Sequence, residues 1–182
     1  MEVTRIQDGL WRWSVPGPDG CEMASTYLEH GRDIILIDPV LPPPGDDLDR
    51  FHQAIGRDMQ RLMGGVYILL TRTEHARDGT SLADRTSASI WMSRDGDPPA
   101  GMVAVPSGLA GEVALWSPVH RALIVGHAVA VRDGRLVAAP GADVASMSLL
   151  APHVIIPGHG LAIVVGAADA LSRAAPPDAA EV

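Results

Sequence analysis

Cysteine is almost absent: Cys21 is the single one in 182 residues. That excludes a disulfide framework within the chain and any zinc cluster built on several thiolates. Standing alone, Cys21 is expected to be a small buried hydrophobe rather than a catalytic thiol. Lysine is missing altogether, so all 14 basic residues are arginine, and with 22 acidic residues the formal net charge is −8. This balance argues against a nucleic-acid partner, whose phosphate backbone calls for a basic patch. No apolar run reaches the roughly 18 to 20 residues of a membrane-spanning helix. The opening residues, 1–13, lack the basic start and apolar stretch of a signal peptide. No membrane partner and a cytoplasmic location are therefore expected. Neither G-x-G-x-x-G nor a P-loop occurs, so nothing supports nucleotide binding.

What is present reads as one globular domain. Hydrophobic residues make up 47% and charged residues 20%, enough for a sizeable core. The expected domain covers 1–176, with a frayed tail at 177–182. Residues 1–37 read as strands: Trp11 and Trp13 alternate with Arg12 and Ser14, and a strand at 23–28 follows the Gly-Pro-Asp-Gly turn at 17–20. Ile34-Ile-Leu-Ile37 is a short apolar run suited to a buried central strand. Asp46 or Asp47 can cap a helix to about Met63, stopped by Gly64-Gly65. Leu48, Phe51, Ile55, Met59 and Leu62 mark its buried face. With Val66 to Leu70 as the next strand, this is a βαβ unit.

Downstream, a polar loop and short helix (72–86) precede a strand at 88–92 and a Gly/Pro-rich connection. Strands are expected at 112–116 and 121–125, then a hairpin through Arg132-Asp-Gly134. A short helix at 142–150, a strand at 153–156 and an Ala-rich helix at 166–174 complete the pattern. It is a mixed α/β chain with several antiparallel connections.

Four ordered segments, spanning 34–160, resemble the metallo-β-lactamase superfamily, and within it the small glyoxalase-II-like hydrolases. Ile34-Ile-Leu-Ile-Asp-Pro39 is similar to the strand ending in the family Asp. Thr71 followed by Arg-Thr-Glu-His-Ala-Arg-Asp-Gly79 stands where the family has T-H-x-H-x-D-H-x-G. Residues 111–127 resemble a strand pair that ends in Gly-Asp, and Ile155-Ile-Pro-Gly-His-Gly160 resembles the final P-G-H-G. The resemblance implies an αββα sandwich, two mixed sheets with helices outside, here a trimmed single domain with its site at one edge.

It also implies that the metal positions have been replaced. The family's first His falls on Arg72, the second on Glu74, the Asp on Ala76 and the last His of the motif on Arg77. The segment 105–111 holds no His where the family has another ligand. The bridging Asp falls on His127, and His159 alone matches a family ligand. A guanidinium has no lone pair to give a metal, so no di-zinc site and no cofactor are expected. A single divalent ion on Glu74, His127 and His159 is the chemically permitted exception.

The resemblance therefore implies a charged pocket. His159, His127 and Glu74 are the expected catalytic residues, with Arg72, Arg77 and His75 binding substrate and Asp38 holding the motif loop. His75 falls on a variable family position, where a surface or supporting role is the simpler reading. His30, His52, His120 and His153 lie outside the motifs and are expected to be structural or exposed. The substrate would be a small anion or carbonyl compound, acted on by hydrolysis or by proton transfer, cyclisation or dehydration. The alternative is a non-catalytic protein that binds a ligand or partner, with Glu74 plugging the arginines. The short, Gly/Pro-rich stretch between Arg94 and Val105 implies an open pocket or one covered by a second subunit of a homo-oligomer.

Overall fold

The structure is a computed structural model, and it describes residues 1–17, 21–76 and 78–174. Pro18 to Gly20 of the expected turn, Arg77 and the expected tail lie outside the described residues. The chain divides into two compact units, with the boundary between Gly101 and Met102. Among the described residues no helix is long and apolar enough to cross a membrane.

The first unit is a six-stranded mixed sheet in the order β1-β2-β3-β4-β5-β6. β1 (Glu2–Gln7), β2 (Leu10–Pro16), β3 (Glu22–His30) and β4 (Asp33–Ile37) form an antiparallel meander. β5 (Val66–Leu69) and β6 (Ser89–Trp91) then add in parallel. The parallel steps need crossovers, supplied by α1 (Asp46–Leu62) and α2 (Gly79–Thr86). Ile34 to Ile37 are buried, as a strand with partners on both sides requires. Phe51 and Ile55 seat α1 on the sheet beside Trp13, Tyr27, Leu36 and Ile68, and burying each is worth about 1.5–3 kcal/mol.

The ends of α1 differ from expectation. Gly45 is the N-cap and no side chain caps it; Asp46, Asp47 and Asp49 lie in the first turn instead, where they complement the helix dipole. At the other end Met63, not glycine, takes the left-handed conformation, at φ 56°. Gly64 is needed for a different reason: a Cβ there would lie 1.9 Å from the Arg32 carbonyl oxygen. The region 72–86 is likewise divided, into a 3₁₀ turn at Thr73–Ala76 and then α2. Cys21 is exposed rather than buried. It stands just outside β3, where its carbonyl is held by the Gly17 N–H at 2.6 Å while its side chain faces away from the core.

The second unit holds a four-stranded sheet in the order β12-β9-β8-β7 and a separate hairpin. β7 (Val103–Pro106), β8 (Val113–Ser117) and β9 (Ala122–Val125) are antiparallel, whereas β12 (Val154–Pro157) runs parallel to β9. β7 lies in what reads as a Gly/Pro-rich connection; it is an edge strand, where a terminal proline is tolerated. β10 (Val129–Arg132) and β11 (Arg135–Ala138) flank Asp133-Gly134, both at positive φ, the two-residue turn that suits a hairpin. α3 (Val144–Ser148) is capped by the Asp143 carboxylate, which accepts from the Ser146 N–H at 3.0 Å. With α4 (Ala167–Ser172) it covers a core that includes Trp116, Leu123, Val125, Met147, Ile155 and Leu171.

Candidate functional site

Each unit carries a polar cluster at the carboxyl ends of its parallel strands, the end at which ligands bind in open α/β sheets. In the first unit β4 runs directly into Asp38, whose φ of 47° is left-handed. This conformation is uncommon for a residue with a side chain, and several hydrogen bonds hold it. The Asp38 N–H donates to the Leu69 carbonyl at 3.0 Å, and its own carbonyl accepts from Ser25 Oγ at 2.8 Å. The carboxylate accepts from the Thr71 N–H at 2.8 Å and the Thr71 hydroxyl at 2.6 Å.

His75 completes this cluster. The 3₁₀ turn carries its ring inward, where it is buried at 5% exposure. Its Nδ1 lies 3.0 Å from both Asp38 Oδ2 and Thr71 Oγ1. The single Thr71 hydroxyl proton is already given to Asp38. The His75 contact therefore has Nδ1–H donating to both oxygens. Asp38, Thr71 and His75 together fix the chain that leaves β5.

Arg72 and Glu74 flank this cluster differently. Arg72 Nε donates to Glu74 Oε2 at 3.2 Å, with the Glu74 side chain 70% exposed. The backbone N–H of Glu74 and the Arg72 guanidinium hold the Glu74 carboxyl below the ordinary glutamate pKa. Arg77, the other arginine of the motif, lies outside the described residues.

The second cluster arises from two parallel strands that end in the same way. β9 leads into Gly126-His127 and β12 into Gly158-His159, with Val125 paired to Pro157. The Gly158 N–H donates to the Gly126 carbonyl at 3.2 Å. A Cβ on Gly158 would stand 2.8 Å from that carbonyl, so glycine lets the strand ends close. The two histidines emerge side by side, ring centroids 5.3 Å apart and planes at 48°.

Glu112, just before β8, organises this pair from beneath, and the sequence reading missed it. Its side chain is fully buried, whereas that of His127 is 40% exposed. The carboxylate accepts from the His127 N–H at 2.9 Å and the Ala128 N–H at 2.8 Å. Its Oε2 also lies 3.2 Å from His127 Nδ1. Burial pushes the Glu112 carboxyl up, but the His127 ring and the two backbone N–H groups outweigh it, so the pKa falls below the ordinary value. A carboxylate can only accept, so His127 donates through Nδ1–H, which in the neutral ring leaves the lone pair on Nε2. A buried carboxylate bonded in this way fixes the tautomer and orientation of an imidazole.

Among the described residues no three His, Cys, Asp or Glu side chains are grouped to hold a metal ion. The donor chemistry of the motif points the same way for a two-metal set: Arg72, at the first His position, offers no lone pair and is paired to Glu74. Of the mononuclear set, Glu74 belongs to the first unit, and His127 and His159 to the second.

No protein-family model matches this chain, and no curated protein does. Solved structures do match over almost the whole chain. It is similar to the DIM-1 metallo-β-lactamase, at 13% identity and a TM-score of 0.53, covering 94% of this chain and 93% of that one. A metallo-β-lactamase from Hirschia baltica matches at 12% identity and a TM-score of 0.61, over 96% and 98% of the two chains. One from Erythrobacter litoralis gives 11% and 0.60, over 93% and 95%. The chain thus has the metallo-β-lactamase fold, a mixed α/β architecture with two main sheets.

Proposed function

We propose that this chain is a metallo-β-lactamase-superfamily relative, similar in its motifs to the glyoxalase-II-like branch, that performs acid–base chemistry without the superfamily's two-metal site. The observation that carries this reading is the Glu112–His127–His159 group at the ends of β8, β9 and β12. Glu112 holds the proton of His127 on Nδ1, which presents Nε2 as the base. His159, ring to ring with it, is the partner that gives a proton back. General acid–base catalysis of this kind contributes about 10²- to 10⁴-fold.

The substrate class follows from sequence position. Arg72 and Arg77, replacing two metal ligands of the motif, suit a small anion or a carbonyl compound that becomes anionic in reaction. Hydrolysis of an ester, thioester or lactone needs His127 to take a proton from water. Proton transfer, cyclisation or dehydration needs the same pair with the proton taken from the substrate. The second reading, a ligand-binding protein without catalysis, is favoured by the Arg72–Glu74 ion pair, which already occupies one guanidinium.

Turnover of an ester, thioester and lactone panel by chelator-treated protein tests the proposal. Wild type is expected to turn over at least one class, with His127→Ala lowering kcat by about 10²-fold or more and leaving KM nearly unchanged. Equal turnover by wild type and His127→Ala overturns the assignment. Activity that appears only when metal is restored overturns the metal-independent part. No turnover of any class favours the binding protein.

A further inference from the structure

Far along the sequence from the histidine pair, the first unit contains a second concave feature. α1 packs on the sheet through Phe51 and Ile55 beside Trp13 and Tyr27, and Val3 of β1 and Trp11 of β2 stand at the margin of that contact. The result is a groove of about 690 Å³ along the flank of the helix, within the 300–1,000 Å³ typical of small-molecule sites. Its floor is apolar and aromatic: Val3, Trp11, Trp13 and Tyr27 from the strands, Phe51 and Ile55 from the helix. Trp11 meets Tyr27 edge to face at 5.2 Å and Trp13 lies 5.4 Å from Phe51, so the floor is packed ring against ring. Val3 is 56% exposed, which leaves apolar surface in water at a place where the fold itself provides no cover.

The rim is charged, and its charges are not all matched. Arg50, Arg57 and Arg61 recur at seven- and four-residue spacing on α1, with Ala54 between them. Arg61 is held by Glu29 and Asp58, and the Tyr27 hydroxyl lies 3.3 and 3.2 Å from those same carboxylates. Arg50 pairs with Asp47 at 3.1 Å. Every rim carboxylate is therefore engaged. Arg57 has no ion-pair partner among the described residues. Ala54, one turn before it, has the smallest side chain that still favours helix, and keeps the groove open.

We infer that this groove is a binding site for an apolar monocarboxylate, such as a medium-chain fatty acid, with its chain on the aromatic floor and its carboxylate on Arg57. Charge complementarity selects an anion. Glu29 and Asp58 share Arg61, and Asp47 is held by both Arg50 and the Met1 ammonium. With Arg57 the rim carries four cations against three carboxylates, so its unmatched group is a guanidinium that can take one negative head group. A cation would face Arg57 unpaired, and a neutral alcohol would forgo the charge-assisted bond.

Isothermal titration of the whole chain with decanoate, decanol and decyltrimethylammonium, each below its micelle concentration, tests this. Decanoate is expected to bind one to one, with decanol about tenfold weaker and no saturable binding of the cation. Arg57→Gln should weaken decanoate about tenfold and remove its preference over decanol. Ala54→Phe, which fills the groove, should abolish binding with the thermal transition retained; if that variant does not fold, Arg57→Gln decides. Equal affinity for all three probes, or decanoate binding unchanged in Arg57→Gln, overturns the inference. So does self-association of the chain through this face, shown by a dimer in sedimentation that Ala54→Phe dissociates while decanoate fails to bind.

Discussion

Both strand-end clusters pair a carboxylate with the Nδ1 of a histidine, yet they are built in opposite senses. In the first unit Asp38 and His75 are both buried, and Thr71 uses its N–H and hydroxyl on the same carboxylate. In the second unit Glu112 is buried to the same degree, but its histidine reaches out to 40% exposure beside His159. A carboxylate–imidazole bond in itself says little about chemistry. The exposure of the ring decides whether the pair locks a loop or presents a base. Burial suits the first cluster to stability, and exposure suits the second to the proton transfer proposed for it.

The largest effect that separates them is expected for Asp38→Ala. It strands the Thr71 N–H and the Thr71 hydroxyl in a buried place, leaves His75 Nδ1–H with Thr71 Oγ1 as its acceptor in this cluster, and keeps a left-handed backbone. Denaturant unfolding should show a loss of about 3–5 kcal/mol, and a loss under about 1 kcal/mol would remove Asp38 from its role. The histidines should then divide. His75→Ala is expected to cost about 1–3 kcal/mol, whereas His127→Ala, which opens one oxygen of Glu112 to water where the ring was 40% exposed, should cost less, about 0.5–1 kcal/mol, while lowering turnover. Equal stability losses would erase the contrast.

Glu112→Gln sharpens it through pH. The Glu112 pKa is lowered in the fold, so its contribution is complete above the unfolded value, about 4.3. It is lost as pH falls through the lower folded value. Wild type should exceed Glu112→Gln by about 1–3 kcal/mol near pH 7, and the gap should narrow in acid; a gap that widens contradicts the assignment. The smallest effect belongs to Arg72→Ala and Glu74→Ala. The Glu74 side chain is 70% exposed and that of Arg72 27%, so Glu74→Ala is expected to leave the unfolding midpoint unmoved and Arg72→Ala to lower stability by less than about 1 kcal/mol.

The contrast between the clusters also shows what a sequence displays. The βαβ unit is legible because Phe51, Ile55, Met59 and Leu62 repeat at helical spacing between two apolar runs. His127 and His159 are legible through their Gly-His strand ends. Glu112 is not, because a glutamate that opens an expected strand at 112–116 carries no mark of burial. Its burial depends on three donors from His127 and Ala128, which only the β8–β9 pairing brings to it. The inward turn of His75 depends on a 3₁₀ segment of four residues, too short to leave a periodic trace. Cys21 illustrates the converse: residue type suggested burial, and its place outside β3 exposed it. Arg57 reads as one more charge on a polar helix face until the rim carboxylates are assigned to its neighbours.

The most direct test of the central claim needs no substrate. Nitrogen-15 spectra of the imidazole rings report which ring nitrogen carries the proton. If Glu112 orients His127 as a base, neutral His127 is an Nδ1–H tautomer in the wild type and shifts toward Nε2–H in Glu112→Gln. An Nε2–H tautomer for His127 in the wild-type protein, unaltered by that substitution, would contradict it.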